Sequence, residues 1–206
     1  MKQIVLYIHG QGGNVEEARH YRSLFKNSDV VGLYYHSQTP WEATVEFPRL
    51  FDGICAGYDS VTVIANSIGA YYAMQALADK KIDRAFFISP IVNMQKIIET
   101  AMARAGVSEN ELREKETVIT SFGQALSWQY LSFVRKHPVS WHIPTRILYG
   151  SEDNLTDFET VSAFARQTGA ALTVMEGAEH WFHTEEQMKF LDDWIRSALG
   201  EEPDSD

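Results

Sequence analysis

The sequence contains a single cysteine, Cys55, among its 206 residues. No intrachain disulfide can form, nothing in the cysteine usage points to an oxidising compartment, and Cys55 reads as a small packed residue rather than a nucleophile. Positive charge is also scarce. Against 28 Asp and Glu there are 18 Lys and Arg, giving a formal net charge of -10. No basic cluster offers the footprint that a polyphosphate requires, so nucleic acid is not an expected partner. Long apolar runs are missing as well. No stretch approaches the roughly 18 residues of a spanning helix. The short run from Ile4 to Ile8 is cut off by His9 and Gly10 before it reaches the length of a secretory core. The expectation is a cytoplasmic protein with no membrane partner.

A hydrophobic content of 45% over 206 residues is enough for one sizeable core, and a single domain over 1–206 is expected. Short apolar runs alternate with longer amphipathic segments, the pattern of parallel strands joined by crossover helices, which predicts an α/β fold with helices on both faces of a mostly parallel twisted sheet. The predicted strands are Gln3–Ile8, Val30–Tyr35, Ser60–Ala65, Arg84–Ser89, Thr145–Tyr149 and Ala171–Met175. Several are apolar throughout, as strands covered on both faces should be. Helices are predicted at Val15–Lys26, Thr44–Ala56, Ile68–Ala78, Asp157–Gln167 and Thr184–Leu199. In the last of these, Met188, Leu191, Trp194, Ile195 and Leu199 recur at helical spacing. The acidic tail from Gly200 to Asp206 reads as a frayed end.

The alternation breaks between Ile91 and Ile143, a stretch with helical patterns and no convincing strand that is too long for an ordinary crossover. It reads as a helical, lid-like insertion. Within it lie a helix over Met94–Ala105, a second over Ser108–Glu116 with Ser108 as N-cap and Glu111 as its capping-box partner, and an aromatic-rich stretch from Phe122 to Phe133. The insertion either caps an active site or simply packs on one face of the sheet.

The segment with the most chemical content runs from Ser60 to Ala73. A strand leads directly into Asn66-Ser67-Ile68-Gly69-Ala70 and then into a helix. A strained turn at this junction pushes one side chain out above the sheet, and small neighbours let strand and helix approach. Ser67 occupies that point, Gly69 supplies one small neighbour and Ala65 stands where the G-x-S-x-G pattern has its first glycine. The plainer reading of Ser67 is a helix N-cap. A second segment, Tyr7-Ile8-His9-Gly10-Gln11-Gly12-Gly13, follows the first strand with glycines that free its backbone to turn sharply. Phosphate binding fits it poorly, because no Lys-Ser or Lys-Thr pair follows and Val15 stands where G-x-G-x-x-G needs its last glycine. Two further segments end strands: Gly150-Ser-Glu-Asp153 and Gly177-Ala-Glu-His180-Trp181. Acidic residue and imidazole then both sit beyond carboxyl ends of strands, where open α/β sheets bind their ligands.

Together these segments resemble the α/β-hydrolase superfamily over essentially the whole chain, including the order Ser67, Asp153, His180. The resemblance implies a nucleophile elbow at Ser67, a general base at His180, an orienting carboxylate at Asp153, and an oxyanion hole formed by the backbone N–H groups of Gln11 and Ile68. Asp153 has the family's G-x-x-D spacing, whereas its neighbour Glu152 does not and Asp157 looks like an early residue of the next helix. His183 reads as a loop or first-turn residue. A metal reading of His180 and His183 is weak: there is no H-E-x-x-H, and His9, His20, His36, His137 and His142 are scattered over unrelated segments. No cofactor and no metal are implied. Because the sequence starts at the strand bearing the His-Gly loop, the leading antiparallel strands of many members are expected to be absent.

The function this implies is a serine hydrolase that cleaves a carboxylic ester, a small-molecule acyl substrate, through an acyl-enzyme. A thioesterase, a small amidase or peptidase on the same triad, and a binding protein that keeps the fold without turnover are the alternatives. Trp128 in the insertion, with Trp41 and Trp181 near strand-end loops, is expected to contribute to an apolar substrate pocket.

Overall fold

The computed structural model describes residues 1–200; residues 201–206, which hold most of the acidic tail, lie outside the described residues. Six strands form one parallel sheet: β1 (Gln3–Ile8), β2 (Asp29–Gly32), β3 (Ser60–Asn66), β4 (Arg84–Ile88), β7 (Thr145–Gly150) and β8 (Ala171–Met175), in the order β2-β1-β3-β4-β7-β8. Every pairing within it is parallel. The predicted strands are all present, with β1 and β8 matching residue for residue.

Successive residues of a strand face opposite sides of a sheet, and the core divides accordingly. Ile4, Leu6 and Ile8 of β1 join one apolar cluster, whereas Val5 and Tyr7 join the other. The first cluster is covered by α1 (Pro40–Cys55), α2 (Ile68–Ala76), α3 (Met94–Ala105), α5 (Trp128–Lys136) and α6 (Phe158–Thr168). The second is covered by a 3-10 helix over Val15–Ser23, through Ala18 and Tyr21, and by α7 (Glu185–Leu199), through Leu191, Trp194 and Ile195. Three layers result, with both sheet faces buried.

The sheet order fixes where a site can form. From β1 the chain moves outward to β2 and then returns across β1 to β3, so the segments leaving the carboxyl ends of β1 and β3 diverge to opposite faces. The crevice between them is the switch point where open α/β sheets bind ligands. The Gly10–Gly13 loop leaves β1 there, and Ser67 leaves β3 beside it.

Several expectations need correction. The segment after β1 is a 3-10 helix that ends at Ser23. Strand β2 stops at Gly32 rather than Tyr35, because Tyr35 turns away to stack on His9 at 4.5 Å and to donate its hydroxyl to the His9 carbonyl at 2.9 Å. Helix α1 starts earlier than Thr44. Thr39 caps it reciprocally with Glu42, and Pro40 occupies the first turn, where a missing N–H costs nothing. The Ile91–Ile143 insertion holds a short antiparallel hairpin, β5 (Thr117–Ile119) with β6 (Ala125–Ser127), besides helices α3, α4 (Glu109–Lys115) and α5. Three-residue strands are too short to show an alternation. Ser108 does cap α4, accepting from the Glu111 N–H at 3.2 Å, but the Glu111 carboxylate turns to Lys115 at 2.8 Å, so the box is half made.

Candidate active site

Ser67 sits between β3 and α2 with φ 50 and ψ -120, a backbone region that L-residues avoid, and its side chain caps nothing. The N-cap reading is thereby excluded, and the strain has a visible cause. Helix α2 must start directly against the end of β1, so closely that a Cβ on Gly69 would lie 2.3 Å from the His9 carbonyl oxygen. Only glycine fits there, and the elbow follows from that approach.

The Ser67 hydroxyl lies 2.8 Å from His180 Nε2. On the far side of the ring, Nδ1 is 2.7 Å from Asp153 Oδ2. Asp153 accepts only, so Nδ1 carries the proton and Nε2 is left to accept from the serine. The Asp153 side chain is fully buried. Burial by itself would raise its carboxyl, but the hydrogen bond from His180 and the backbone N–H groups of Thr156 and Leu155 outweigh it, holding the group below the usual carboxylate range. Thr156 Oγ1 completes the shell at 3.0 Å. Asp157 is instead the N-cap of α6, and His183 stacks on Trp181 outside the Ser67–His180–Asp153 chain.

The loop after β1 is a tight turn closed by Gly13 N–H to the Gly10 carbonyl at 3.2 Å, with Gly12 at φ +78, which glycine adopts without steric cost. It lies against the elbow: a Cβ on Gly10 would be 3.2 Å from Ser67 Cβ. Ile68 follows Ser67 as the first residue of α2, where a backbone N–H has no acceptor within the helix.

A cavity of about 660 Å³ opens at Ser67 and His180, bounded by Gly10–Gly13, the 3-10 helix and the His180 loop. Tyr21, Ile88, Trp181, Phe182, Met188 and Leu191 make most of its apolar wall, and Tyr7, Asn66, Glu17 and His20 supply a polar end. Asn66 Nδ2 donates to the Tyr7 hydroxyl at 2.9 Å, and that hydroxyl donates in turn to Glu17 Oε2. Glu17 Oε1 accepts the Asn14 N–H at 3.1 Å.

Solved structures show the same arrangement of strands and helices. Est1E from Butyrivibrio proteoclasticus, which has also been solved with ferulic acid bound, superposes with a TM-score of 0.73 at 17% identity, covering 96% of this chain and 87% of that one. Alpha/beta hydrolase domain-containing protein 10 from mouse gives 0.73 at 12% identity, over 96% of this chain and 89% of its own. A Pyrococcus furiosus esterase gives 0.61 at 19% identity, over 97% and 80%. The chain has the α/β-hydrolase fold. No family model and no curated protein sequence matches it.

Within the α/β-hydrolase fold the expected pocket residues separate. Trp181 lines the cavity and is 71% exposed. Trp41 does not: it packs against Tyr130 and Phe133, with ring centroids 5.6 Å from each, and so ties α1 to α5. Trp128 packs against the same core, and no residue of the insertion lines the Ser67 cavity. In α5 the aromatic stretch is packing, because Tyr130 and Phe133 turn their rings to Trp41 of α1, while Phe122 lies outside that helix, exposed beneath Arg104. Conversely, the cavity takes in Tyr7, Glu17, His20 and Met188, which the sequence does not mark as site residues. The spacing Asn14-x-x-Glu17, a capping box present in the structure, was the one local signal for Glu17. Among the described residues no group of His, Cys, Asp and Glu is placed to hold a metal, and no helix is long and apolar enough to cross a membrane.

Proposed function

We propose that the chain is a serine hydrolase that cleaves carboxylic esters, with Ser67 as nucleophile, His180 as general base and Asp153 as the group that orients it. The observation that carries this reading is the continuous chain from Ser67 Oγ to His180 Nε2, 2.8 Å, and from His180 Nδ1 to Asp153, 2.7 Å, built on a serine held at φ 50. A serine hydroxyl is a poor nucleophile at neutral pH. An imidazole in the correct tautomer removes its proton as the oxygen attacks the ester carbonyl. The N–H groups of Gln11 and Ile68 take the negative charge that develops on the carbonyl oxygen. His180 then hands the proton to the departing alcohol, leaving an acyl-serine. Water, deprotonated by the same imidazole, attacks that acyl group and releases the acid with Ser67 restored. Esters are favoured over amides because an alkoxide leaves with less assistance.

The test is hydrolysis of p-nitrophenyl esters of graded acyl length by the wild type and by Ser67→Ala and His180→Ala variants shown to be folded. Turnover that both substitutions abolish supports the reading. An inactive wild type whose Ser67 also fails to react with a serine-directed phosphonate defeats it.

A further inference from the structure

The polar end of the Ser67 cavity has an unbalanced charge. Among the described residues that line it, Glu17 is the one Asp or Glu, and no Lys or Arg joins it. Its two oxygens are held by neutral donors, the Asn14 N–H and the Tyr7 hydroxyl, so hydrogen bonds fix the carboxylate in place without cancelling its charge. Two of the three lining histidines have carboxylates of their own, His20 2.6 Å from Asp192 and His180 2.7 Å from Asp153, and the third, His183, turns Nδ1 to the Trp181 carbonyl at 2.7 Å. Tyr21, Trp181 and Phe182 line the same cavity, with Trp181 largely exposed. A fixed anion in a cavity that aromatic rings also line attracts a cation in two ways, by Coulomb attraction and through the ring quadrupole. The net charge of -10 acts in the same direction at longer range.

We propose that this cavity selects esters that carry a positive charge, with Glu17 as the group that binds the cation. The proposal rests on the serine-hydrolase reading above. Each substrate is compared with its uncharged twin: the acetate ester of trimethylammonioethanol against the acetate in which carbon replaces the nitrogen, and the methyl ester of trimethylammoniobutanoic acid against its carbon isostere. The first pair places the charge on the alcohol side and the second on the acyl side. For at least one pair, kcat/KM of the cationic member is expected to be about tenfold higher at low ionic strength. The gap should narrow with added salt and close in Glu17→Gln, which keeps an oxygen for the Asn14 N–H. Ratios within one enzyme preparation cancel any general loss of activity in the variant. Uncharged twins cleaved as fast or faster in both pairs would overturn the proposal, as would a gap indifferent to salt or surviving Glu17→Gln. If p-nitrophenyl esters are turned over and neither pair is, this proposal alone falls. If nothing is turned over and the phosphonate leaves Ser67 unlabelled, the hydrolase reading falls and takes it along.

Discussion

Gly69 carries no side chain because the His9 carbonyl oxygen occupies the place where one would begin, 2.3 Å from its Cβ position, with the Ile8 carbonyl at 2.8 Å. Both obstacles are backbone, so neither can rotate aside. Gly69→Ala is therefore expected to push α2 away from β1 and destabilise the protein by about 1–3 kcal/mol or more, measured by urea unfolding. Gly53 provides the contrast. It lies in α1 with open space at its Cβ position, and Gly53→Ala should stabilise by about 0.5–1 kcal/mol. Equal effects from the two substitutions would contradict this account of the elbow.

Asp153→Asn keeps the size of the side chain and removes its ability to accept only. The amide presents N–H groups to His180, the favoured ring tautomer is lost, and kcat on a p-nitrophenyl ester should fall by about a thousandfold or more with little change in KM. A loss of less than tenfold would assign the orienting role elsewhere.

Tyr7→Phe removes the link between Asn66 and Glu17. The Asn66 amide then loses its acceptor beside Ser67, in a residue whose Oδ1 is already buried without a partner. A stability loss of about 1–3 kcal/mol is expected. Urea unfolding of the variant against wild type reads it directly, and an unchanged midpoint would mean that the link carries no weight.

Trp41, Trp128 and Trp181 should separate by assay. Trp41→Ala and Trp128→Ala are predicted to cost about 3–5 kcal/mol of stability at most, since both are only partly buried, and to leave the acyl-length profile unaltered. Trp181→Ala should hardly change stability, because that ring is largely exposed, and should alter KM because the ring lines the cavity. A shifted length profile in Trp128→Ala, with none in Trp181→Ala, would return the pocket to the insertion.

Stability should also fall at acid pH. Asp157 is lowered to about 2, foremost by its hydrogen bond with Lys96. A carboxyl lowered by folding contributes stability that is complete above its unfolded value, about 3.9, and is lost as pH falls through its folded value. Asp153, also lowered, acts in the same sense. Asp157 is half exposed, so solvent screening limits its share to about 0.5–1 kcal/mol. Asp157→Asn, which still caps α6, should remove that part of the acid dependence between pH 4 and pH 2, and thermal melts across that range would show it.

The parallel strands and most helices were legible in the sequence because local physics writes them. Continuous apolar runs give doubly covered strands, and a 3.6-residue period gives α7. That Ser67, Asp153 and His180 come together was legible for a related reason: each follows a recognisable strand, and strand ends are where open α/β sheets bring loops together. What the cavity is made of was not. Trp128 and Trp41 have the composition of a pocket and the positions of a core, and composition does not say which way a helix turns its rings. Glu17 and His20 look like any exposed helical pair. They line the same cavity as Ser67 only because β1 runs beside β3 at the switch point of the sheet, which brings the 3-10 helix after β1 to the carboxyl end of a strand that follows it by more than thirty residues. Segments carry their own secondary structure, but the walls of a cavity come from segments far apart in the chain, and only packing decides which of them meet.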